Sequence, residues 1–295
     1  MPTVLVTGAG GQLGQEFRLV AQQFPSWTWL MPTRAELDIT DAETVAAYFA
    51  THQPNYCLNT AAYTAVDHAE TEQAAAYACN ETAATQLAQQ CRTHNCQLVH
   101  FSTDYVYRST INRPLVETDP TDPTGVYAAS KLAGDQGVVQ TNPAAMIVRT
   151  SWVYSSFGHN FVKTMLRLGR ERDELRVVFD QVGTPTYARD LAVAIVQIIR
   201  EIEDGQRPRA DLAGLFHYSN EGVTSWYDFA LAIFELTGID CAVYPIESKE
   251  YPTPVQRPPY SVLNKAKFRT TFGQTIPHWR EGLKSCLAVL TDEKV

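Results

Sequence analysis

Residues 3–14 read TVLVTGAGGQLG, and this stretch decides the fold, because an apolar, β-branched strand ends at glycines that open a helix. Gly8, Gly11 and Gly14 are spaced as GxxGxxG. In such a turn the first glycine permits a tight bend, the second lets a pyrophosphate approach the backbone, and the third lets helix and strand pack closely. Free N–H groups at the helix start then face the anion. The stretch predicts a dinucleotide-binding βαβ unit; the alternative is a glycine-rich turn without a ligand.

The first half of the chain alternates predicted strands and helices outward from this unit. Strands are predicted at Thr3–Thr7, Thr28–Met31, Tyr56–Asn59, Gln97–Ser102 and Ala145–Thr150. Helices are predicted at Gln12–Phe24, after a capping box at Thr40–Glu43, over Glu70–Thr93 and from Tyr127. This alternation predicts an α/β fold, a Rossmann-type doubly wound parallel sheet with helices on both faces.

The alternation loosens after Thr150, which predicts a second unit. We expect residues 1–150, together with 171–214, to form the dinucleotide-binding domain. Residues 151–170 and 215–295 would form a smaller C-terminal α/β substrate domain.

Composition excludes several classes of protein. The chain has 295 residues, with 24 Lys and Arg against 32 Asp and Glu, and a net charge of −8 at pH 7. Such an acidic chain is a poor candidate for binding nucleic acid or a membrane surface. No stretch approaches the roughly 20 apolar residues of a membrane helix, and no signal-type segment opens the sequence. The six cysteines form no CxxC pair, which is typical of thiols in a reducing cytoplasm, so we expect a cytoplasmic protein.

A second group of residues indicates proton transfer. Tyr127 and Lys131 form a YxxxK pair that would share one face of a helix. An ammonium beside a tyrosine lowers the phenol pKa from about 10, so the pair could exchange a proton with an alcohol oxygen near neutral pH. Thr103, or Ser102, follows the fourth strand at the carboxyl end of the sheet, where its hydroxyl could bind a substrate carbonyl. The alternatives are a chance YxxxK and a Ser-Thr-Asp turn or cap.

The segment after the second strand bears on the choice of cofactor. A carboxylate that binds the adenosine ribose would be expected about 20 residues beyond the glycines. The chain has Arg34 there, and the nearest acid is Glu36. Arg34 could accommodate a 2′-phosphate, which favours NADPH, with NADH as the alternative. Arg34 could instead be a solvated loop residue.

Together these residues resemble the extended short-chain dehydrogenases/reductases, and among them the dTDP-4-dehydrorhamnose reductases. The similarity spans nearly the whole chain. Besides the glycines and the YxxSK motif, it is carried by NTAAYTAVD at 59–67, STDYVY at 102–107, RTSWVY at 149–154, QVGTPT at 181–186 and RPPYSVL at 257–263. The 102–107 and 257–263 segments are specific to the group, whereas the glycines are not.

The resemblance implies hydride transfer from NADPH or NADH to C4 of dTDP-4-dehydro-β-L-rhamnose, which gives dTDP-β-L-rhamnose. Tyr127 would give a proton to the C4 oxygen, Lys131 would tune Tyr127 and hold the nicotinamide ribose, and Thr103 would polarise the carbonyl. Cofactor contacts are implied for Gly8, Gly10, Gly11, Gln12, Leu13, Asp38, Ile39, Ala61, Ala62, Tyr63, Tyr127 and Lys131. Substrate contacts are implied for Val66, Thr103, Asp104, Tyr127, Trp152 and Arg257, the last near the nucleotide or its phosphates.

The resemblance also suggests two further features, a bound Mg ion and a homodimer. Some relatives hold a Mg ion between two subunits through acidic side chains. Glu16 and Asp190 match two of those positions, but no third acid is evident, and both could be surface carboxylates. The seven histidines show no metal-ligand spacing. Mg and a homodimer are therefore left open.

The sequence departs from these relatives at the rim of the predicted site. Arg108 and Ser109 stand where relatives often carry Asp-Gly, and Ala128 stands where they often carry Gly. The geometry of this rim is therefore not predicted. Trp226 is interpreted as part of a helix packing face.

Two other functions compete with reduction. Nucleotide-sugar dehydratases and epimerases share this fold, but dehydratase relatives place Asp-Glu after the threonine, and here Tyr105 stands at the Glu position. Such enzymes retain their cofactor, whereas a reductase exchanges it. A non-catalytic, dinucleotide-binding regulatory subunit could keep the glycines alone, and the intact Thr103, Tyr127 and Lys131 argue against it.

Overall fold

A sheet of six parallel strands forms the centre of the molecule in the computed structural model, which describes residues 1–107 and 112–292. The strands are β1 (Thr3–Thr7), β2 (Thr28–Leu30), β3 (Tyr56–Asn59), β4 (Gln97–Thr103), β5 (Met146–Thr150), β6 (Val153–Tyr154), β7 (Glu174–Val178), β8 (Val182–Gly183), β9 (Thr186–Tyr187), β10 (Gly214–His217), β11 (Thr224–Ser225) and β12 (Ala242–Ile246). The α-helices are α1 (Gln12–Ala21), α2 (Ala42–His52), α3 (Gln73–Tyr77), α4 (Ala84–Thr93), α5 (Val126–Thr141), α6 (Phe161–Glu171), α7 (Ala188–Glu203), α8 (Trp226–Thr237), α9 (Ala266–Phe272) and α10 (Trp279–Asp292). The predicted α/β class with a parallel sheet is confirmed.

The order of the strands fixes where a ligand can bind. The large sheet runs β10-β5-β4-β3-β1-β2, so β1 lies between β2 and β3 and the winding of the chain reverses there. In open α/β sheets such a reversal opens a crevice at the carboxyl ends of the strands. The turn after β1, the loop after β3 and the end of β4 all border this crevice.

Helices cover both faces of the sheet, and each face buries its own apolar cluster. On one face α1 and α7 pack over Val4 and Val99. On the other face α2, α4 and α5 pack over Leu5 and Leu98. The two sets alternate along the strands because successive side chains point to opposite faces of a sheet. Strands buried on both faces are typical of parallel sheets.

A further apolar cluster lies around α6, α8 and α10. Here β7 pairs with β12 in parallel, from Glu174 with Ala242 to Val178 with Ile246. The strand β10, in contrast, pairs with β5 and closes the edge of the large sheet. The division into two domains stays a prediction. A boundary between them should keep β7 with β12 and β10 with β5.

One predicted helix start is wrong in detail. The N-cap of α2 is Asp41, whose carboxylate accepts hydrogen bonds from Glu43 N at 3.0 Å and Thr44 N at 3.2 Å. Thr40, the cap residue of the predicted capping box, donates its hydroxyl to Asp38 at 2.7 Å instead. Aspartate and threonine both cap helices well, so the sequence does not separate the two neighbours.

The structure adds two observations to the expectations from composition. No helix within the described ranges is long and apolar enough to cross a membrane. All six cysteines are free thiols, and all but Cys79 are buried.

Candidate active site

The glycine-rich turn between β1 and α1 packs directly against the end of β3. Gly8 has a φ of +67°, and a Cβ atom there would lie 2.6 Å from the Ala61 nitrogen. A Cβ atom on Gly14 would lie 2.5 Å from the Gly8 carbonyl oxygen. Backbone cannot yield to such an approach as a flexible side chain can, so both positions need glycine to close the turn.

The start of α1 faces open space. Its N-cap is Gly11, which offers no side-chain cap, and a Cβ atom on Gly10 would meet nothing within 4 Å. Gln12 turns its side chain to Asn160, whose amide donates to Gln12 Oε1 at 3.0 Å, and Leu13 packs against the core. Gln12 and Leu13 would therefore meet a ligand through their backbone N–H groups. An open cradle of unpaired N–H groups at a helix start fits a pyrophosphate.

Asp38 and Ile39 lie beyond the second strand, where an adenine is predicted. The Asp38 carboxylate accepts hydrogen bonds from Thr40 N at 3.0 Å and from Arg34 Nε at 3.1 Å. The hydrogen bonds from Thr40, more than that from Arg34, hold the pKa of Asp38 below its usual value. The Arg34 side chain is 84% exposed, so it can turn to another anion. Ile39 is buried, so its backbone rather than its side chain would meet a cofactor.

Sequence reasoning missed Asn80, which fixes the loop after β3. This buried residue lies in a π-helical turn at Ala78–Ala83, between α3 and α4. Asn80 Oδ1 accepts from Tyr63 N at 2.9 Å, and its Nδ2 donates to Tyr63 O at 3.1 Å and to Ser130 Oγ at 3.0 Å. The amide thus joins the loop of Ala61, Ala62 and Tyr63 to α5. The sequence does contain a signal for Asn80, because it is a single asparagine in an alanine-rich helical segment.

Thr103 and Tyr127 come together at the carboxyl end of β4. Thr103 ends β4, and its hydroxyl oxygen accepts from Tyr105 N at 3.2 Å as the cap of a 3₁₀ turn. A hydrogen bond between the side chains of Thr103 and Tyr127 lowers the pKa of the Tyr127 phenol. Lys131 lies one helical turn further along α5, buried to 2%, and donates from Nζ to the Phe101 carbonyl at 2.7 Å. The structure therefore groups all three predicted catalytic side chains.

The protonation of this group differs from the expectation. Burial raises the pKa of Tyr127 to about 12, Thr103 opposes the rise, and the carboxylates of Asp104 and Asp135 add to it. Burial also lowers the pKa of Lys131, whose ammonium is turned to a carbonyl. The expected acidification of Tyr127 by Lys131 is therefore wrong for this arrangement, because burial raises the pKa of the phenol and the Lys131 ammonium is turned to the Phe101 carbonyl instead. A protonated phenol is the form that can give a proton to a carbonyl oxygen.

Asp104 lies beside this pair and is almost fully buried, at 1% exposure. Burial raises its pKa to about 7, against hydrogen bonds from Ser261 and Thr103 that lower it. Its Oδ1 accepts from the Thr103 hydroxyl at 3.2 Å, and its Oδ2 has no partner among the described residues. An unpaired buried oxygen is costly, so Oδ2 can take a hydroxyl of a ligand. Ser261 belongs to the 257–263 segment, but its side chain was not singled out from the sequence.

Trp152 forms one wall beside the site and is held in an uncommon backbone conformation, with φ at +47°. Its ring stacks on Trp226, with centroids 3.6 Å apart and planes 9° apart. Gly183 lies close to the same ring, since a Cβ atom there would be 2.7 Å from Trp152 Cε2. Non-glycine residues with positive φ persist where their surroundings fix them, and they cluster at functional sites. Trp226 is the first residue of α8. Its ring is interpreted from the sequence as part of a helix packing face, and in the structure it also stacks on Trp152.

Arg257 is held by a carboxylate on the opposite side of the site. Its Nη1 and Nη2 donate to the Asp67 carboxylate at 2.9 and 2.7 Å, beside the half-buried Val66. Hydrogen bonding from Arg257 holds the pKa of Asp67 below its usual value. An anionic ligand would have to share the guanidinium with Asp67.

The acids considered for a metal do not form a metal site. Glu16 is fully buried, not a surface carboxylate, and accepts hydrogen bonds from Ser155 Oγ at 2.6 Å and Arg189 Nε at 2.7 Å. Asp190 accepts from Asn220 Nδ2 at 2.6 Å. No group of three or more His, Cys, Asp or Glu suited to a metal occurs in residues 1–107 and 112–292. A guanidinium already neutralises Glu16, so these residues do not fit Mg.

Of the residues that depart from the relatives, Ala128 is buried in α5. Arg108 and Ser109 lie outside the described residues.

Comparison with known proteins places the chain in one family. A family model described as the RmlD substrate binding domain matches residues 2–292. A dTDP-4-dehydrorhamnose reductase of Sinorhizobium fredii is 42% identical, over 95% of this chain and 94% of that protein. The likeness extends to solved structures. A dTDP-4-dehydrorhamnose reductase of Clostridium acetobutylicum has a TM-score of 0.91 at 39% identity, covering 98% of this chain and 99% of its own. That of Bacillus anthracis, in complex with NADP, has a TM-score of 0.91 at 36% identity over the same shares.

Proposed function

The chain belongs to the RmlD substrate binding domain family, whose members include dTDP-4-dehydrorhamnose reductases, and from this we infer that it is an oxidoreductase of that specificity. It reduces the C4 ketone of dTDP-4-dehydro-β-L-rhamnose to dTDP-β-L-rhamnose with a nicotinamide cofactor. The observation that carries the mechanism is the grouping of Thr103, Tyr127 and Lys131 next to the crevice at β1.

We propose that the cradle of Gly8, Gly10, Gly11, Gln12 and Leu13 binds the pyrophosphate of the cofactor. Asp38 and Ile39 would lie at its adenine, and Ala61, Ala62 and Tyr63 would line its path toward Lys131. The exposed Arg34 supports NADPH over NADH, since a 2′-phosphate could compete with Asp38 for its guanidinium. When bound, the cofactor supplies a hydride to C4 of the sugar.

The side chains of this chain complete the reduction. Tyr127 is protonated at neutral pH and gives its proton to the C4 oxygen. The Thr103 hydroxyl turns its proton from Asp104 Oδ1 to the same C4 oxygen and donates a hydrogen bond to it, and Lys131 holds the nicotinamide ribose. The hydride and the proton together convert the ketone into an alcohol, and solvent restores the proton of Tyr127.

Recognition of the nucleotide sugar falls to the remaining residues. Asp104 would bind a sugar hydroxyl through its unpaired Oδ2, and Trp152 would pack against the sugar ring. Val66 and Arg257 would face the nucleotide, with Arg257 leaving part of its pairing with Asp67 to bind a phosphate.

The competing functions find less support in this site. At the position of a dehydratase glutamate, Tyr105 packs edge-on against Tyr127 at 5.9 Å between ring centroids, and burial raises its pKa well above the usual value. No carboxylic acid is offered by that residue for the loss of water. A regulatory subunit would have no need for Tyr127 beside Thr103.

The test is a turnover assay on the purified protein. Loss of NADPH or NADH absorbance is followed with the 4-keto sugar generated in situ from dTDP-glucose. We expect turnover with both coenzymes and a higher kcat/KM for NADPH. Absence of turnover, or stoichiometric NAD that stays bound through purification, would contradict the proposal and favour a regulatory protein or an epimerase.

We further propose that the protein acts in the cytoplasm and forms a homodimer without Mg. The free state of all six cysteines supports a reducing compartment. The pairing with Arg189 neutralises Glu16, one of the two acids considered for a metal bridge.

A further inference from the structure

A row of polar side chains, joined in part by hydrogen bonds, crosses the sheet on the face covered by α5. Its members come from five adjacent strands and are Thr7, Asn59, His100, Arg149 and His217. The strand register pairs Thr7 with Asn59, Asn59 with His100, and His217 with Arg149. All five are buried. Such a row is unexpected beneath a helix, where apolar packing is the rule.

Asp135 reaches into this row from α5, one helical turn beyond Lys131. It is 3% exposed, and its Oδ2 accepts from Arg149 Nε and Nη2, both at 3.0 Å. Arg149 is held from the other side, because its Nη1 donates to the Tyr107 hydroxyl at 2.6 Å. That hydroxyl in turn lies 2.9 Å from His217 Nε2. The carboxylate of Asp135 is therefore fixed in place by a guanidinium that is fixed itself.

The two histidines of the row carry no positive charge that could pair with the Asp135 carboxylate. Burial lowers the pKa of His217 to about 3 and that of His100 well below its usual value, so both are neutral. Asn59 Nδ2 lies 3.0 Å from His100 Nδ1 and can donate to it. His100 Nε2 then carries the ring proton, but it lies 3.8 Å from Asp135 Oδ1, which has no hydrogen-bond partner among the described residues. Lys131 lies one helical turn before Asp135 on α5 and is buried with it, so the charge of Asp135 acts on the Lys131 ammonium across space and not through a direct ion pair.

Lys131 needs a counter-charge. Its ammonium is buried and donates to the Phe101 carbonyl, a neutral acceptor. Burial lowers the pKa of Lys131, whereas the charge of Asp135 raises it, ahead of a weaker effect from Cys79. Without Asp135, two buried cations, Lys131 and Arg149, would share this region. Isolated buried charges are strongly disfavoured and lose their proton instead.

We propose that Asp135 is a positioning residue for the reduction: its carboxylate, oriented by Arg149, keeps the buried ammonium of Lys131 charged, one helical turn along α5 from Tyr127. The role rests on the proposed function, since it acts through Lys131. The titratable and charged groups around Lys131 and Asp135 are His100 from β4, Arg149 from β5, Cys79 from the π-helical turn, Tyr107 from the 3₁₀ turn after β4, and Tyr127 and Asp135 from α5 itself.

The test is the pH dependence of kcat in variants of the full-length protein. Removal of the carboxylate in Asp135→Asn lowers the pKa of Lys131, so the alkaline fall in kcat moves to lower pH by about one unit or more. At alkaline pH this is a loss of about tenfold against the wild type. Asp135→Glu keeps the charge and restores the wild-type profile. Asp211→Asn, which removes a carboxylate paired with Arg207 outside the site, leaves the profile unchanged.

Asp135→Asn alone leaves Arg149 unpaired and could impair folding. The double variant Asp135→Asn/Arg149→Gln removes both charges and is the second test. If it folds, as its circular dichroism would show, its alkaline fall must also move to lower pH. A folded single or double variant with the wild-type pH profile would overturn the role of Asp135. Failure of the wild type itself to turn over the 4-keto sugar would instead contradict the proposed function.

Discussion

At the scale of single residues, burial sets the chemistry of this site. Tyr127 and Asp104 both have raised pKa values because the fold withdraws them from water. The raised pKa has different consequences for the two residues. Tyr127 stays protonated and can donate a proton, whereas Asp104, with a pKa of about 7, changes charge in the physiological pH range. Each can be tested by a substitution that changes one functional group and little volume.

Removal of the Tyr127 hydroxyl should abolish proton donation. Tyr127→Phe is expected to lower kcat at least about 100-fold, since general acid catalysis commonly contributes that much. Tyr244→Phe, the same change at a side chain 52% exposed on β12, is the matched control and should keep the wild-type rate. Steady-state kinetics of the two variants provide the measurement. An unchanged rate in Tyr127→Phe would remove Tyr127 from the mechanism.

Asp104 should make stability depend on pH. Its pKa is raised from 3.8 to about 7 on folding, so the folded state binds more protons than the unfolded state between these values. The free energy of unfolding should therefore fall as pH rises from about 4 to 7, by up to a few kcal/mol from this group. In Asp104→Asn this part of the fall should vanish. Urea unfolding of both proteins at pH 5 and pH 8 gives the comparison, and equal falls would speak against a buried, titrating Asp104.

At the scale of elements, the turn from β1 into α1 separates residues that build the fold from residues that meet a ligand. Gly8 and Gly14 are required by backbone within 2.6 Å of a would-be Cβ atom, whereas Gly10 has open space around it. The π-helical turn at Ala78–Ala83 likewise has two roles. It packs against α5, and it positions Asn80 to hydrogen-bond the loop after β3. Single π turns are frequent at functional sites.

Two alanine substitutions distinguish these parts of the turn. Gly14→Ala should lower the free energy of unfolding by about 1–3 kcal/mol, because its Cβ atom would force backbone apart. Gly10→Ala should leave stability within about 0.5 kcal/mol of the wild type, as surface substitutions usually do, and weaken binding of NADPH. Denaturant unfolding and fluorescence titration measure the two effects. Equal stability of the variants would contradict the packing described for Gly14.

At the scale of the whole molecule, ion pairs that are at least partly buried join segments far apart in the chain. Glu16 on α1 pairs with Arg189 on α7, and Asp67 after β3 pairs with Arg257 near the C-terminus. The first pair takes the place where a metal was considered. The second joins the loop after β3 to the 257–263 segment.

The Glu16 pair predicts a response to metal and to substitution. Excess EDTA or added Mg should leave both the Tm and the elution volume in size exclusion unchanged. Arg189→Gln should lower the free energy of unfolding by about 3–5 kcal/mol, because Glu16 would remain buried and unpaired. The exposed pair Arg167–Glu171 provides the control, and Arg167→Gln should change stability by at most about 0.5 kcal/mol. A Tm that falls with EDTA would contradict the conclusion that no metal binds there.

The sequence by itself determined the α/β class, the family and the grouping of the catalytic residues. These follow from local patterns: glycine spacing at a strand end, a tyrosine and a lysine one helical turn apart, and a threonine where a strand ends. Strand order in a parallel sheet then brings such ends together. The family motifs add the identity of the substrate, which spacing alone does not carry.

Only the tertiary structure decided the charge states and the supporting contacts. The acidification of Tyr127 by Lys131 was expected from spacing, but burial raises the pKa of the phenol and Lys131 is turned to the Phe101 carbonyl, and both follow from the packed molecule. Asn80, Trp226 and Asp135 act through partners 50, 74 and 14 positions away, at Ser130, Trp152 and Arg149. Contacts at such separations leave no local periodicity in a sequence, because they arise when helices and strands are laid over one another.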